Sequence, residues 1–304
     1  MTNIFIDGSA GTTGLRIADR LAARSDISLI KLPEQLRKNN DARADAIHSA
    51  DIVFLCLPDA AAMEAVALAG DAAAKIIDTS TAHRVNPDWA YGFPELSGQR
   101  EKIAASKRIA NPGCHASGFI ASVYPLVANG IVPADFPLTA YSLTGYSGGG
   151  KNLIAEYEDG NRDIRHESHR IYGTTLTHKH LPEMQKICGL AQKPVFSPIL
   201  GDFYAGMATS ILLPGFDAEK VWQCLADHYA GQKLVSVAPL GGDESVVYAS
   251  TLAGKDTMRI QVSGHSEQAM VTAIFDNLGK GASGAAIQNM NILLGVPETT
   301  GLNI

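Results

Sequence analysis

The chain has 304 residues, 46% of them hydrophobic and 18% charged, with a formal net charge of −6 at neutral pH. This length and composition are typical of a globular protein with more than one core, and they predict two domains. The acidic balance, with no run of basic residues, argues against nucleic-acid binding. Charged residues and glycines interrupt every apolar run, so we expect no membrane span, and the first residues resemble a strand rather than a signal peptide.

The first third of the chain alternates between short apolar runs and helical patterns. The pattern predicts strands over residues 3–7, 27–32, 51–58 and 75–78, with helices over residues 13–24 and 60–70. The third of these strands is a continuous apolar run rich in branched residues, as is typical of a parallel strand buried on both faces. The alternation therefore predicts an α/β fold with a doubly wound parallel sheet.

A glycine-rich turn lies between the first strand and the first helix. Gly8, Gly11 and Gly14 recur at every third position, a GxxGxxG spacing rather than the commoner GxGxxG. Small residues let the backbone approach a pyrophosphate at a helix N-terminus, where N–H groups and the helix dipole favour an anion. Thr12 and Thr13 can donate further hydrogen bonds. The turn therefore predicts a dinucleotide site.

The end of the second strand bears on which nicotinamide cofactor binds. Glu34 lies where an acidic residue would bond the ribose hydroxyls of NAD. Lys31, Arg37 and Lys38 can instead pair with the 2′-phosphate of NADP, although Arg37 and Lys38 are also compatible with an ordinary solvated surface. We expect NADP and keep NAD as the alternative.

The segment Asn111-Pro112-Gly113-Cys114 places a cysteine at the start of a helix predicted over residues 115–129. At a helix N-terminus the macrodipole lowers the pKa of a thiol, and free N–H groups can stabilise an oxyanion. A buried cysteine in a tight turn is the alternative. We favour a nucleophilic role for Cys114.

The spacing of the cysteines also indicates in which cellular compartment the protein is expected. The protein has four cysteines, with no CxxC spacing, at Cys56, Cys114, Cys188 and Cys224. This spacing indicates neither a disulfide framework nor a zinc site. We therefore expect a cytoplasmic protein with reduced thiols and no metal.

The pattern changes after about residue 116. Alternating apolar residues predict strands over residues 138–144, 246–252 and 258–262, and helices are predicted over residues 218–229 and 267–277. This combination predicts an α+β domain with a mostly antiparallel sheet covered by helices on one face. The glycine-rich residues 146–151, which include Ser147, follow the first of these strands. We expect a loop near the site there, with a flexible surface turn as the alternative.

Two histidines precede a helix that is predicted to begin near Pro182. In an extended approach to that helix, His178 and His180 project to the same side. No third ligand lies at a spacing typical of a metal site, and residues 166–169 do not match the HExxH helix of a metalloprotease and are predicted to form a polar loop. General acid–base catalysis beside a cysteine nucleophile fits the pair better.

Four motifs together resemble those of the N-acetyl-gamma-glutamyl-phosphate reductase family in its shorter form. In chain order they are Gly8-xx-Gly11-xx-Gly14, Asn111-Pro112-Gly113-Cys114, the segment 178–183 and the segment 281–291. The resemblance covers essentially the whole chain. It implies that N-acetyl-glutamyl 5-phosphate is reduced by NADPH to N-acetylglutamate 5-semialdehyde and phosphate, through a Cys114 thioester, in arginine biosynthesis.

The resemblance also implies roles for individual residues. His180 matches the proton-transferring histidine, with His178 as the second candidate. Arg84, in the loop after the fourth strand, can pair with a phosphate or carboxylate, and a loop-capping arginine is the alternative. Asn111 and Ser147 are substrate-site candidates, and Asn111 can also hold the turn that aims the cysteine. Gln288 or its neighbour Asn289 lies towards the nicotinamide, whereas Glu95 matches a family motif without an assigned role.

The domain boundaries follow from the same resemblance. Residues 1–114 and 281–304 are expected to form a discontinuous, Rossmann-type NADP-binding domain, and residues 115–280 an α+β catalytic and oligomerisation domain. A homo-oligomer, either a dimer or a tetramer, is expected. The alternative functions are an aspartate-semialdehyde dehydrogenase and a non-catalytic nicotinamide-binding redox sensor. A cysteine hydrolase is disfavoured because it leaves the nucleotide turn unexplained.

Overall fold

The structure is a computed structural model that describes residues 1–241 and 246–304. The chain forms two compact units. The first contains Met1–Gly113 and Ala282–Leu302, and the second contains Cys114–Gly281 and Asn303–Ile304. The chain therefore leaves the first unit at the bond before Cys114 and returns to it at the bond after Gly281.

Helices and short strands alternate along the first part of the chain, whereas longer strands dominate the second. The first 113 residues contain β1 (Thr2–Asp7), α1 (Thr12–Ala22), β2 (Ile27–Ile30), α2 (Asn40–His48), β3 (Ile52–Leu55), α3 (Asp59–Ala69), β4 (Lys75–Asp78), β5 (Ala90–Tyr91), α4 (Gln99–Ala105) and β6 (Arg108–Ala110). The second unit contains α5 (Cys114–Ala128), β7 (Thr139–Gly145), α6 (Gly150–Glu158), β8 (Arg170–Ile171), α7 (Leu181–Cys188), β9 (Val195–Gly201), β10 (Met207–Pro214), α8 (Ala218–Tyr229), β11 (Val235–Val237), β12 (Met258–His265) and β13 (Gln268–Phe275). A π-helical turn, Gly279–Ser283, leads into α9 (Gly284–Leu294).

The first unit is built on a parallel sheet with strand order β2-β1-β3-β4-β6-β5. Successive side chains of a strand point to opposite faces, so Ile4 and Ile6 pack with α1, α4 and α9, whereas Phe5 packs with α2 and α3. Helices therefore cover both faces. The predicted Rossmann-type, doubly wound sheet is confirmed.

The second unit is built on a sheet with strand order β11-β12-β13-β10-β7-β9-β8. Its pairs are antiparallel except β11 with β12 and β7 with β9. Helix α5 packs closely on this sheet. A Cβ added at Gly118 would lie only 2.6 Å from Oγ1 of Thr209 and 2.8 Å from the ring of Phe275. The predicted α+β architecture with a mostly antiparallel sheet is also confirmed.

Two predicted elements of this second unit are wrong. Residues 267–277 were expected to form a helix but contain β13, which pairs with β12 through a hairpin and with β10 on its other side. The apolar residues 270, 271 and 274 match a helical spacing, but the register of the hairpin buries Ala269, Val271 and Ala273 on one face. The strand predicted over residues 246–252 is irregular chain and turn.

Within the described residues, no helix is both long enough and apolar enough to cross a membrane.

Candidate active site

The glycine-rich turn joins β1 to α1 and leaves no room for a side chain at Gly8 or at Gly14. A Cβ added at Gly8 would lie 2.3 Å from the carbonyl oxygen of Cys56, and one at Gly14 would lie 2.6 Å from the carbonyl oxygen of Gly8. Gly8 also has a φ of 87°, a conformation that favours glycine. Gly11 is the N-cap of α1 and has no side chain to bond the N–H groups of the first turn.

The same turn contains a buried hydroxyl group that the protein does not satisfy. Oγ1 of Thr12 is buried and has no hydrogen-bond partner within residues 1–241 and 246–304. Thr13 follows it in the first turn of α1, partly buried. A buried polar group normally has a partner, so an orphaned one at a helix N-terminus points to a ligand. The backbone cradle and this hydroxyl fit a dinucleotide pyrophosphate.

Glu34, the residue that favours NAD, is in contact with Arg37, one of the residues that favour NADP. Strand β2 ends at Ile30, and a 3₁₀ turn, Glu34–Leu36, follows it. The Arg37 guanidinium forms an ion pair with Glu34 at 2.8 Å, and both side chains are exposed. Lys31 and Lys38 are exposed as well. The segment after β2 is thus a basic surface whose one acidic residue already pairs with Arg37.

The loop after β4 is fixed by the buried Asp78 carboxylate. Its Oδ1 accepts the backbone N–H of Ser80 at 2.9 Å, and its Oδ2 accepts the Ser80 hydroxyl at 2.7 Å. Nδ1 of His83 lies 2.7 Å from the same Oδ2. Arg84 ends this loop as a buried residue whose Nε donates to the carbonyl oxygen of Asn111 at 3.0 Å and whose Nη2 donates to that of Thr79 at 2.9 Å.

Asn111 follows β6 and is held on several sides. Its side-chain Nδ2 donates to the carbonyl oxygen of Ala282 at 3.2 Å, and its Oδ1 accepts from Nδ2 of Asn289 at 3.2 Å. Its backbone N–H donates to the carbonyl oxygen of Asp78 at 2.8 Å. These bonds fix the turn that precedes Cys114, whereas the assignment of Asn111 and Arg84 to substrate binding stays a prediction.

Gln288 and Asn289 lie side by side in α9, but their surroundings differ. Nε2 of Gln288 donates to Glu95 at 2.9 Å and to Glu298 at 3.0 Å, so both amide hydrogens are used within the protein. Nδ2 of Asn289 also donates to the carbonyl oxygen of Gly92 at 2.9 Å, while its Oδ1 is buried without a partner among the described residues. Asn289 is therefore the better placed of the two to accept a hydrogen bond from a ligand amide.

Cys114 is the first residue of α5 and is partly buried. A Cβ added at Gly281 would lie 3.1 Å from Cβ of Cys114, so glycine leaves the space beside the cysteine open. Burial raises the pKa of Cys56 to about 12 and also raises the pKa of Cys188 and of Cys224. Cys114 is the cysteine that a helix N-terminus can activate.

His115, directly after the cysteine, is buried and bonded through both ring nitrogens. Its Nδ1 lies 2.8 Å from Oγ of Ser142, and its Nε2 lies 2.6 Å from the hydroxyl of Tyr172. Burial and the neighbouring His178 lower the pKa of His115 to about 3. His115 is thus a neutral imidazole at physiological pH.

Both predicted histidines, His178 and His180, lie close to His115 in the structure. The ring centroids of His178 and His180 lie 5.5 and 5.8 Å from that of His115, and 4.8 Å from each other. His180 is buried at the N-cap of α7, and its backbone N–H donates to Nδ1 of His178 at 3.2 Å. Burial and the charge of Lys179 lower the pKa of His178 to about 4. Cys114 therefore precedes a cluster of three imidazoles.

His115, Tyr172 and Ser142 were not among the residues predicted from the sequence. His115 had a detectable signal, because a histidine next to a candidate nucleophile falls on the buried side of a predicted helix. Tyr172 and Ser142 are 57 and 27 residues away from His115 along the chain, and nothing in their local pattern marks them.

Ser147 lies in the 3₁₀ turn Tyr146–Gly149, where we expected a loop, and α6 follows at Gly150. Its buried hydroxyl accepts a hydrogen bond from Nδ2 of Asn277 at 3.0 Å. Oδ1 of Asn277 in turn accepts the backbone N–H of Gly206 at 2.9 Å. The contact to Asn277 was not predicted. It fixes the turn, while a substrate contact of Ser147 stays a prediction.

The second histidine-containing segment, residues 166–169, makes local contacts. His166 pairs with Glu156 at 2.8 Å and stacks on Tyr157, and it lies within the 3₁₀ turn Ile164–Glu167. Within the described parts of the chain, no group of three or more His, Cys, Asp or Glu side chains is arranged to hold a metal ion.

Comparisons with known proteins show which family the chain belongs to. A family model described as semialdehyde dehydrogenase, NAD binding domain, matches residues 8–106, and one described as semialdehyde dehydrogenase, dimerisation domain, matches residues 114–277. The chain is 50% identical to N-acetyl-gamma-glutamyl-phosphate reductase from Brucella ovis over 96% of its own length and 98% of that protein. The protein of the same name from Brucella canis gives the same values.

Solved structures are similar at lower identity. Aspartate semialdehyde dehydrogenase II from Vibrio cholerae, in complex with ASA, has a TM-score of 0.73 and 16% identity over 97% of this chain and 98% of its own. Aspartate semialdehyde dehydrogenase from Candida albicans, with NADP, has a TM-score of 0.68 and 14% identity over 97% and 99%. At these identities the likeness shows the fold alone.

Proposed function

Because the chain belongs to the N-acetyl-gamma-glutamyl-phosphate reductase family of the semialdehyde dehydrogenases, we propose that it reduces N-acetyl-glutamyl 5-phosphate to N-acetylglutamate 5-semialdehyde with NADPH. The reaction releases phosphate and belongs to arginine biosynthesis. Family membership makes the protein an oxidoreductase with a nicotinamide cofactor and a small-molecule substrate. The observation that carries the finer proposal is the position of Cys114, at the start of α5 and directly before a cluster of three histidines.

The proposed nucleophile is the Cys114 thiolate. It attacks the acyl carbon of the substrate, so that a carbon–sulfur bond forms and the carbon–oxygen bond to phosphate breaks. Phosphate leaves with the electron pair of that bond. The N–H groups of the first turn of α5 and its dipole stabilise the negative charge that develops on the acyl oxygen. The product of this half-reaction is a thioester on Cys114.

NADPH supplies the hydride that the thioester carbon accepts in the second half-reaction. The resulting thiohemiacetal collapses to the aldehyde, and Cys114 leaves as the thiolate. We assign proton transfer to His180: it takes the thiol proton of Cys114, passes it to the departing phosphate, and later returns a proton from water to the sulfur. The low pKa of His178 makes it a neutral neighbour that orients His180 through the 3.2 Å bond to the His180 backbone.

The residues proposed to hold the cofactor follow from the shape of the first unit. Gly8, Gly11 and Gly14 let the pyrophosphate approach the backbone, and Thr12 and Thr13 offer hydroxyls at the helix N-terminus. Arg37 is proposed to bind the 2′-phosphate that distinguishes NADP from NAD. Asn289 is proposed to accept a hydrogen bond from the nicotinamide carboxamide through its unsatisfied Oδ1, while Gln288 ties α9 to the side chains of Glu95 and Glu298.

Arg84, Asn111 and Ser147 are proposed to act at the substrate. Arg84 is well suited to orient the phosphate or a carboxylate, because a guanidinium pairs with both. Its bonds to backbone carbonyls keep it fixed, and the bond from Arg84 to Asn111 couples it to the turn that carries Cys114. Ser147 is held by Asn277 and offers a hydroxyl to a polar substrate group.

We further propose a homo-oligomer in the cytoplasm. The family model for residues 114–277 carries the description of a dimerisation domain. The sheet face that points away from α5 exposes 53% of Val195 and 41% of Leu212, the kind of surface that a second copy covers. All four cysteines are free, as in a reducing compartment. Light scattering at several protein concentrations distinguishes a dimer from a tetramer.

The test of the proposed activity is run in the oxidative direction. Cofactor reduction is followed with N-acetylglutamate semialdehyde, phosphate and NADP⁺, and turnover must depend on phosphate. Cys114→Ser should abolish it, and His180→Asn should lower kcat by about a hundredfold or more, the usual contribution of general acid–base catalysis.

The parallel arms separate the alternatives. Turnover of aspartate semialdehyde in place of the acetylated substrate would replace the proposed substrate and keep the mechanism. No turnover of either substrate, with Cys114 oxidised reversibly in the presence of cofactor, would support the redox sensor instead.

A further inference from the structure

A buried ion pair lies at the end of β1, directly before the glycine-rich turn. Asp7 is the last residue of β1, and Gly8, the first glycine of the turn, follows it. Nε of Arg43 donates to Oδ2 of Asp7 at 3.0 Å, and Nη2 of the same guanidinium lies 3.0 Å from that oxygen. Asp7 is 4% exposed and Arg43 is 5% exposed, so little water reaches the pair. The turn proposed to hold a pyrophosphate therefore begins beside a buried carboxylate.

The Arg43 guanidinium is surrounded by oxygen atoms of the protein. Arg43 lies in α2, and its Nη1 donates to Oε2 of Glu64 in α3 at 2.9 Å and to Oδ1 of Asn40 at 3.0 Å. The Glu64 side chain is 49% exposed, so water screens its charge far better than that of Asp7. Each nitrogen of the guanidinium thus lies beside a protein oxygen. What Arg43 offers to a nearby ligand is its positive charge, held next to Asp7.

The Asp7 carboxylate on its own is an unfavourable neighbour for an anion. The turn closes through the N–H of Gly11, which donates to the carbonyl oxygen of Gly8 at 3.0 Å, and Gly11 is the N-cap of α1. A pyrophosphate at this helix N-terminus lies close to Asp7, and like charges repel more strongly where little water screens them. Burial raises the pKa of Asp7, and the charge of Arg43 counteracts that rise. An anion site at this turn therefore depends on the charge of Arg43.

We propose that Arg43 is a residue of the cofactor site that acts through Asp7, because its charge balances the carboxylate at the entry of the glycine-rich turn and lets the pyrophosphate bind there. The proposal rests on the proposed function, in which this turn holds a nicotinamide cofactor. Arg43 is a positioning residue in this scheme, since it does not touch the cofactor. The alternative is an ion pair that only fastens α2 to β1, and the two roles predict different signs for the loss of Asp7.

The test measures the Kd of NADP⁺ by calorimetric titration at pH 8, without substrate. Arg43→Gln leaves the Asp7 charge unbalanced and should raise Kd about tenfold. Asp7→Asn removes that charge, while Arg43 keeps its pairing with Glu64, and should lower Kd about threefold. An ion pair with a purely structural role would give weaker binding in both variants. Weaker binding by Asp7→Asn, or unchanged binding by Arg43→Gln, would therefore overturn the proposal.

The double variant Asp7→Asn with Arg43→Gln tests whether Arg43 acts through Asp7. It has the same net charge as the native pair, and its two amides can still form a hydrogen bond. Its Kd should therefore return close to the native value, because the two residues act as one unit. NAD⁺ has the same pyrophosphate without the 2′-phosphate, so its Kd should also rise in Arg43→Gln. A double variant as weak as Arg43→Gln, or an effect confined to NADP⁺, would contradict the proposal.

The matched control is Arg24→Gln. The Arg24 side chain is 7% exposed, and its Nε donates to Asp26 at 2.9 Å. This pair lies at the opposite end of β1, where the N–H of Thr2 donates to the carbonyl oxygen of Asp26 at 2.9 Å. Its loss should leave Kd unchanged, and a rise equal to that of Arg43→Gln would overturn the proposal in favour of general loosening.

Two further outcomes are distinguishable. If Arg43→Gln does not fold, the sign of the change in Asp7→Asn decides alone. A native protein that binds neither NADP⁺ nor NAD⁺ would overturn the proposed function together with this inference. Native binding without the expected opposite signs would overturn the inference alone, and it would leave the proposed reaction to be judged by phosphate-dependent turnover.

Discussion

The Arg84 guanidinium donates from Nε to the carbonyl oxygen of Asn111, three residues before Cys114, at 3.0 Å. A second bond, 2.9 Å long, runs from the same guanidinium to the carbonyl oxygen of Thr79, at the start of the loop after β4. One buried side chain therefore fastens two neighbouring strand ends of the parallel sheet. This geometry makes Arg84 a fixed part of the turn that leads to the proposed nucleophile, whatever else it binds.

Arg84→Lys should destabilise the protein. A lysine ammonium cannot reach both carbonyl oxygens in the fork geometry of arginine, and a buried carbonyl that loses a charged donor costs about 2 kcal/mol of unfolding free energy. Urea unfolding followed by circular dichroism measures the change. Arg165→Lys is the control, because Arg165 is exposed and pairs with Asp163 on the surface. It should change stability by less than about 0.5 kcal/mol, and equal effects of the two substitutions would contradict the role of Arg84.

Thr12→Val should weaken cofactor binding and leave the stability of the cofactor-free protein nearly unchanged. The Thr12 hydroxyl is buried and has no partner among the described residues, so valine removes only a bond to the ligand. One lost hydrogen bond raises the dissociation constant of NADPH about fivefold. Fluorescence titration measures the constant. Thr300→Val, whose hydroxyl donates to Pro297 at 2.7 Å, should leave it unchanged. Loss of folding stability without weaker binding would assign Thr12 a packing role.

Arg37 and Glu34 should set the choice between NADPH and NADH. Arg37→Ala removes the proposed partner of the 2′-phosphate, so KM for NADPH should rise about tenfold while that for NADH stays constant. Glu34→Gln releases Arg37 from its ion pair and should lower KM for NADPH. Both effects should shrink at high ionic strength, because these side chains are exposed. Equal changes in KM for NADPH and NADH would show that Arg37 does not determine the cofactor specificity.

The nucleotide half could be predicted from the sequence because its signals are local. Each strand is a short apolar run, and three glycines within seven residues, 8–14, mark the turn after β1. The helix that begins at Cys114 could also be predicted from its local sequence pattern. In these segments, periodicity and turn residues agree with the final packing, so local preference and tertiary structure favour the same elements.

The structure of the second unit depends on contacts between residues that are far apart in the sequence. Residues 267–277 satisfy both a helical and a strand period, and only the pairing of β13 with β12 and β10 decides between them. The contacts of His115 with Ser142 and Tyr172 likewise depend on how α5, β7 and β8 pack. A sequence pattern can mark a histidine beside a cysteine, but it cannot show which hydroxyls the ring reaches.

Gly118→Ala should destabilise the second unit. An added Cβ would lie 2.6 Å from Oγ1 of Thr209 and 2.8 Å from the ring of Phe275, inside the contact between α5 and its sheet. Overpacking of this kind costs about 1–3 kcal/mol, which a thermal or urea unfolding curve resolves. Gly160→Ala is the control, because nothing lies within 4 Å of its added Cβ. A stable Gly118→Ala variant would mean that α5 can move away from the sheet at no cost.

The buried histidines should make the protein lose stability as the pH falls from 7 to 5.5. Burial, with the charge of neighbouring groups, lowers the pKa of His115 to about 3 and that of His178 to about 4 in the folded protein. An unfolded histidine titrates near its ordinary value of about 6.5. Below that pH the unfolded chain binds protons that the folded protein does not, so each residue lowers the unfolding free energy by up to about 1.4 kcal/mol per pH unit.

His178→Asn isolates one of these two contributions. The asparagine amide oxygen can still accept the backbone N–H of His180, which in the native protein lies 3.2 Å from Nδ1 of His178, but it binds no proton in this range. Urea unfolding at pH 7.0, 6.5, 6.0 and 5.5 should therefore give a shallower dependence for the variant than for the native protein. His169→Asn replaces an exposed histidine and should leave the slope unchanged. Parallel curves for His178→Asn and the native protein would show that His178 is protonated in the folded state, and that burial does not lower its pKa.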